Sequence, residues 1–284
     1  MAQSSLQFSH RTIDLSHRVA VVGILNVTPD SFYDGGCYAT EFDVLARVEQ
    51  MIEQGADIVD VGGQSTRPEA KPVSLQEEIA RVIPRIESIC NRFAVPISVD
   101  TYRAEIAERA LDVGAELVND VSGLRFDHAM ASVIARYGAY VVLMHLKGKP
   151  RSMQNNPQYT DVMTEIVSFL SQQIGFARSQ GIDQERIIVD PGIGFGKNVE
   201  HNLVVLRNIS RLKQLHSPIL VGASRKSFMG QLFGIPPAER MVPSIAAACI
   251  AVAGGARLIR CHDVNETRYA VDLVSAVLAS ADES

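Results

Sequence analysis

Eight short runs rich in β-branched and apolar residues recur along this chain, each followed by a helix-like pattern. That alternation restricts the fold more than any other feature. The strand-like runs cover 19–27, 58–62, 96–100, 117–120, 140–145, 187–191, 218–222 and 257–262. Between and after them, apolar residues spaced for one helix face mark 43–54, 74–92, 103–112, 127–137, 161–180, 199–215, 224–233 with 237–253, and 265–279. Strict strand–helix alternation gives a parallel sheet. Eight such units predict an α/β fold, a closed (β/α)8 or TIM barrel in a single domain. A doubly wound open sheet is the alternative, because strand order is not written in a sequence. Gly55, Gly114, Gly138, Gly181 and Gly255 stand just before strands, where helices end in a left-handed residue. The barrel domain is expected over 19–284. Residues 1–18 are weakly patterned and form either a cap under the barrel or a short hairpin around Phe8 and Ile13.

Composition narrows the class. A chain of 284 residues with 46% hydrophobic and 21% charged residues suits a soluble protein with a large core. A net charge of −5 argues against a nucleic-acid partner. No basic start followed by an apolar core is present, and the longest apolar run, near 245–255, is too short to span a membrane. A cytoplasmic protein without a membrane partner is expected. The 4 cysteines, Cys37, Cys90, Cys249 and Cys261, lack metal-ligand spacing and read as free thiols.

A barrel gathers its chemistry at the C-terminal ends of its strands. Here those ends are polar throughout: Asn26, Asp60 to Gly63, Asp100, Asn119-Asp120, Met144-His145, Asp190, Gly222 to Lys226, and Arg260 to Asp263. Asp100, Asn119 and Asp190 would share one mouth, a set suited to a flat heterocycle with adjacent donors and acceptors. Each alone could equally be a helix N-cap, and Asp120 fits that reading better than Asn119. Lys226, Arg260 and His262, with Arg67 from the loop after the second strand, describe an anion site beside a helix N-terminus. Arg67 by itself reads as a solvated loop charge. Arg260 and His262 share one strand face and Cys261 the other, so Cys261 is packing.

Gly192-Ile193-Gly194-Phe195-Gly196-Lys197 lacks the spacing of a nucleotide loop and reads as a close approach to a flat ligand, with Phe195 as an apolar lid. No G-x-S-x-G elbow and no zinc-helix histidine spacing are present.

The motifs, taken in order, resemble dihydropteroate synthase, of the pterin-binding enzyme family. They are residues 23–36 with Thr28-Pro29-Asp30-Ser31-Phe32, Asp60 to Pro68, Ser98 to Thr101, and Asn119-Asp120. Met144-His145, Asp190 to Lys197, Ser224 to Ser227, and Arg260 with His262 follow. The resemblance implies alkyl transfer: 6-hydroxymethyl-7,8-dihydropterin pyrophosphate and p-aminobenzoate give 7,8-dihydropteroate and pyrophosphate in folate biosynthesis. It places Asp100, Asn119, Asp190 and Lys226 on the pterin edge, with Val121, Met144, Phe195 and Gly222 around its faces. Asn26 would ligate Mg²⁺ on the pyrophosphate, which Thr66, Arg260 and His262 would hold. Phe32, Arg67, Pro68 and Ser227 would surround the aminobenzoate, and Asp34 with Asp100 would stabilise a pterin cation in a dissociative mechanism.

The resemblance also implies a sulfonamide target, since a sulfonamide copies aminobenzoate with a bulkier tail. A homodimer through the last two helices is implied as well. Leu146, Lys147, Lys149, the pair Pro243-Ser244 and Cys261 depart from the usual pattern, and the two lysines would alter rim charge. A pterin-binding methyltransferase and a catalytically silent pterin scaffold are rivals. The intact 28–32 loop, Ser224-Arg225-Lys226-Ser227 and the surviving cationic set speak against them.

Overall fold

The computed structural model describes residues 4–28, 40–64, 73–148, 153–154 and 156–280. An antiparallel hairpin of β1 (Ser5–Gln7) and β2 (Thr12–Asp14) comes first. Leu6, Phe8, Ile13 and Leu15 are buried against Val22, Ile58, Tyr140, Ile188 and Leu258, so the hairpin forms the barrel floor. Asp57 fixes it there. Its buried carboxylate accepts from Arg11 (2.8 Å), Arg268 (3.1 Å) and the Val21 amide (3.0 Å), with Arg18 at 3.2 Å.

The strand–helix units follow: β3 (Ala20–Asn26), α1 (Glu41–Glu53), β4 (Ile58–Gly62), α2 (Leu75–Arg92), β5 (Ile97–Asp100), α3 (Ala104–Asp112), β6 (Leu117–Asp120), α4 (Met130–Tyr137), β7 (Tyr140–Met144) and α5 (Val162–Ser179). Then come β8 (Ile187–Asp190), α6 (Val199–Arg207), β9 (Leu220–Val221), α7 (Ser227–Phe233), α8 (Met241–Ala253), β10 (Leu258–Cys261) and α9 (Val264–Ser280). β3 to β10 make one 8-stranded parallel sheet in the order β8-β7-β6-β5-β4-β3-β10-β9. A parallel bridge between Val189 and Ile219, with the Val189 amide donating to the Pro218 carbonyl at 3.0 Å, joins the outer strands. The sheet is thus the barrel that the alternation predicts, and the open sheet is set aside.

Three expectations change in detail. The helix predicted over 199–215 breaks at Asn208, whose Nδ2 turns back to the Val204 carbonyl at 2.7 Å. Ile209–Leu215 continues as a 3-10 helix, whose period of three buries Ile209, Leu212 and Leu215 together. The seventh barrel strand shortens to Leu220–Val221, and the next helix starts at Ser227 because Arg225 sits at φ 54. The five glycines expected at helix ends all have positive φ, from 60 to 109.

Candidate active site

Strand pleating sends alternate residues into the barrel, and the interior changes along its axis. Near the hairpin it is apolar. At the C-terminal ends of β4, β5, β6 and β10 it holds Asp60, Asp100, Asn119 and Arg260, bonded to one another. Arg260 Nε donates to Asp60 Oδ2 at 2.6 Å and its Nη2 to Asp100 Oδ2 at 2.7 Å. Asn119 Nδ2 donates to the same Asp60 oxygen at 3.1 Å. The register explains the grouping, since Asp100 lies directly across from Asn119 on β6 and from Gly62 on β4. Asp60 Oδ1 is buried and has no hydrogen-bond partner among the described residues.

Burial pushes the Asp100 carboxyl up to about 7, against the pull of Arg260 and with a further push from the Asp60 charge. Burial likewise raises Asp190, opposed by the Gly192 amide, which donates to its Oδ1 at 2.7 Å, and by the charge on Lys226. Burial disfavours the Arg260 guanidinium, but Asp60 and Asp100 outweigh it and hold that group above its ordinary value.

One wall of the mouth is apolar. Val121, Met144, Leu146, Met153 and Phe195 form a buried cluster, which brings together three of the four residues expected around a heterocycle's faces. The fourth, Gly222, lies beside Arg260 and Asp190: a Cβ there would be 3.7 Å from Arg260 Cβ and 3.9 Å from Asp190 Oδ2. Lys226 Nζ stands 4.0 Å from the centroid of the Phe195 ring.

The loop that carries Phe195 reads differently in three dimensions. A Cβ at Gly192 would fall 1.9 Å from the His145 carbonyl oxygen, and one at Gly196 2.4 Å from that of Lys147. At these two glycines the close approach is therefore to neighbouring backbone, not to a flat ligand. Lys147 does not stand out on the rim either. Its ammonium donates to Glu165 at 2.7 Å and lies 4.1 Å from the Tyr159 ring centroid. Lys149 lies outside the described residues.

β9 and β10 are tied above their ends. Ser224 Oγ lies 2.9 Å from His262 Nδ1 and accepts from the His262 amide at 3.2 Å. Arg225 grips Asp263 through two bonds of 3.0 and 2.5 Å, and its amide donates to Ser244 Oγ at 2.7 Å. Ser244, which follows Pro243 in the departing pair, thus anchors this turn. Arg260, expected in a cationic group, has two carboxylate partners in the mouth, Asp60 and Asp100, and its charge acts with that of Lys226 on Asp100 and Asp190. Asn26 ends β3, half-buried, with Gly62 across from it. Ser227 is the exposed first residue of α7. Phe32, Asp34, Thr66, Arg67 and Pro68 lie outside the described residues.

Sequence reasoning left Asp60 out of the site, although it joins Arg260 to Asn119. The available signal was parity: Asp60 is two residues from Gly62 and faces the same way, inside an otherwise apolar strand. Reasoning also passed over Lys197, which is 2% exposed. For a metal, the described residues hold no group of three or more His, Cys, Asp or Glu side chains that could bind one together. Asn26 offers one neutral oxygen, which fits an ion carried on a substrate's phosphates rather than a protein cage.

A closed α/β barrel with buried carboxylates, an amide, a guanidinium and an ammonium gathered at its C-terminal rim defines a barrel enzyme. The model of the pterin binding enzymes matches residues 22–262. The dihydropteroate synthase of Synechocystis is 47% identical over 252 residues, spanning 88% of this chain and 87% of that one. The Yersinia pestis dihydropteroate synthase, solved in complex with a sulfonamide drug, superposes with a TM-score of 0.93 at 44% identity, over 97% of this chain and 99% of that one. The Xanthomonas albilineans enzyme, solved with 4-aminobenzoic acid, gives 0.90 at 41% identity, over 98% and 99%. The chain belongs to the pterin-binding enzyme family, and within it to the dihydropteroate synthases.

Proposed function

We propose that this chain joins 6-hydroxymethyl-7,8-dihydropterin pyrophosphate to p-aminobenzoate, releasing pyrophosphate and 7,8-dihydropteroate in folate biosynthesis. The observation that carries the reading is the mouth itself: Asp60, Asp100, Asn119 and Asp190 at its polar edge, beside the apolar wall of Val121, Met144 and Phe195. A pterin is flat and has an amidine-like edge rich in donors. Carboxylates accept from such an edge, and the unpartnered Asp60 Oδ1 has acceptor capacity left.

The chemistry then follows from charge. The bond between the pterin methylene carbon and the pyrophosphate oxygen breaks, and its electron pair leaves with the pyrophosphate. Lys226, Arg260 and His262, with Thr66, would bind the departing anion. Asn26 would hold Mg²⁺ jointly with the pyrophosphate oxygens, and the bound ion would supply positive charge at the leaving group. Asp100 and Asp34 would stabilise the pterin cation. The aminobenzoate nitrogen lends its lone pair to the methylene carbon and then loses a proton. Phe32, Arg67, Pro68 and Ser227 would position that ring, and a sulfonamide would compete for the same place. No covalent enzyme intermediate is required.

The test is to mix the purified chain with both substrates and Mg²⁺ and follow pyrophosphate and dihydropteroate. Stoichiometric release of both, dependent on each substrate, is expected. Pterin binding without turnover would instead support a silent scaffold.

We further propose a cytoplasmic homodimer. Val242 and Ile250 on α8, and Tyr269, Leu273 and Val277 on α9, are all exposed. Together they are an apolar area that a second copy would cover. Cys90, Cys249 and Cys261 are unpaired, as expected of thiols in a reducing compartment. No helix among the described residues is long and apolar enough to cross a membrane. Sedimentation of wild type against Leu273→Glu tests the pairing; an unchanged dimer in the variant would contradict it.

A further inference from the structure

The loop between β8 and α6 carries Phe195 to the mouth, and side chains from several elements fasten it. Gly192 N donates to Asp190 Oδ1 at 2.7 Å and Gly194 N to Asn202 Oδ1 at 2.7 Å. Gln154 Nε2 donates to the Gly194 carbonyl at 2.5 Å and the Tyr159 hydroxyl to the Gly196 carbonyl at 2.8 Å. Beneath all of these sits Lys197. Its ammonium donates to the Gly192 carbonyl at 2.9 Å and the Phe195 carbonyl at 3.1 Å, and lies 3.0 Å from His145 Nδ1. The His145 carbonyl is 3.5 Å away.

A lysine ammonium has three protons, and here three acceptors surround it at hydrogen-bond distance. None of them is a carboxylate. Burying an ammonium without a counter-charge is costly, so the position needs a reason beyond packing. His145 is suited to its part: burial and the neighbouring Lys197 charge push it down to about 2, so its ring is neutral and Nδ1 can accept. Burial also pushes Lys197 down to about 7, with Asp190 opposing. The two carbonyls that Lys197 binds are those at the start of the turn and at Phe195 itself. The ammonium therefore fixes the backbone on both sides of Ile193-Gly194.

We propose that Lys197, with His145 Nδ1 3.0 Å from its ammonium, is a positioning residue that clamps the 192–196 loop so that Phe195 presents a fixed ring face to Lys226 and to the pterin. The proposal rests on the pterin reading above and assigns Lys197 no contact with substrate. It acts through Phe195. The ring position matters because Lys226 Nζ lies 4.0 Å from its centroid and its aliphatic chain runs beside Gly194, where a Cβ would come within 2.9 Å of Lys226 Cδ. A loose loop would release the apolar wall and the ammonium together.

Two measurements test this. The first is a double-mutant cycle on the affinity for 6-hydroxymethylpterin, read by calorimetry in wild type, Lys197→Met, Phe195→Ala and the double variant. Lys197→Met should weaken binding roughly tenfold in the wild-type background and very little in the Phe195→Ala background, because its effect passes through that ring. Equal losses in both backgrounds would mean a general structural role and would overturn the clamp. Absence of binding by wild type would overturn the pterin reading itself.

The second measurement is amide hydrogen exchange on the unliganded protein, which needs no ligand. Gly192, Gly194 and Phe195 amides should exchange faster in Lys197→Met, while amides of the β1–β2 hairpin stay unchanged. Tyr159→Phe removes only the hydroxyl bond to Gly196 and leaves the Lys197 ammonium with its three acceptors, so it is the variant to use if Lys197→Met does not fold. It should also speed exchange at the loop and weaken pterin binding, by a smaller factor. Unchanged loop exchange in both variants would sink the proposal.

Discussion

Asp60 and Arg260 lie on β4 and β10, 200 positions apart in the chain, yet they meet inside the barrel mouth at 2.6 Å. Asp60 is sealed from solvent and also accepts from Asn119, so one carboxylate aligns a guanidinium and an amide. Asp60→Asn keeps the volume but replaces an acceptor-only group with one that must also donate. Pterin pyrophosphate should bind more weakly by about 1–3 kcal/mol, the usual cost of a buried hydrogen-bond mismatch. Steady-state kinetics should show this as a raised KM with a smaller change in kcat. An unchanged KM would separate Asp60 from the site.

Asp100 makes the site sensitive to pH. Its carboxyl is raised to about 7 by burial, so the folded chain binds that proton more tightly than the unfolded chain does. Stability contributed this way is fully present below the ordinary carboxylate value of about 4 and is lost as pH rises through about 7. The Tm of wild type relative to Asp100→Asn should therefore fall across that window. Pterin affinity should move the other way, rising with pH as the accepting carboxylate forms, and should lose this dependence in Asp100→Asn. A flat difference in Tm from pH 4 to 8 would contradict the raised value.

Asn26 sets an expectation for Mg²⁺. One neutral amide oxygen is a poor ligand set by itself, so the substrate's phosphates must supply most of the affinity. Calorimetry should find weak Mg²⁺ binding to the free chain and much tighter binding once pyrophosphate is present. Tight binding without pyrophosphate would point to a protein cage elsewhere.

The floor of the barrel should be separable from its chemistry. Asp57 gathers Arg11, Arg18 and Arg268 at the end opposite the mouth. Asp57→Ala takes from buried Arg268 one of its two carboxylate partners, Asp272 remaining, and removes the acceptor of the buried Val21 amide, which together should cost about 1–3 kcal/mol. A lower denaturant midpoint with kcat preserved at low temperature is expected. Lost turnover in the folded variant would show that the floor and the mouth are coupled.

These residues also mark how far the sequence could be read. Strand–helix alternation is a local property, so the barrel and most strand ends were legible from periodicity. Asp100, Asn119 and Asp190 stood out because each is the last or next-to-last polar residue of an apolar run. Asp60 did not, because a single acid within Ile58-Val59-Asp60-Val61 looks like an ordinary strand residue until Arg260 and Asn119 arrive from distant positions. Lys197 was hidden for the same kind of reason. Its partners are carbonyls of Gly192 and Phe195 and the ring of His145, and no pattern of side-chain types announces a lysine that bonds to backbone. The break at Asn208 depended on a side-chain bond back to Val204, which helical periodicity does not record.

The claim at the centre of this account is that the carboxylate mouth seats a pterin. Calorimetric titration of wild type, Asp100→Asn and Asp190→Asn with 6-hydroxymethylpterin tests it most directly. Wild type should bind, and each variant should bind more weakly by about 1–3 kcal/mol, because each substitution sets a donor where the ligand also donates. Equal affinity in all three proteins would place the pterin elsewhere and contradict the account.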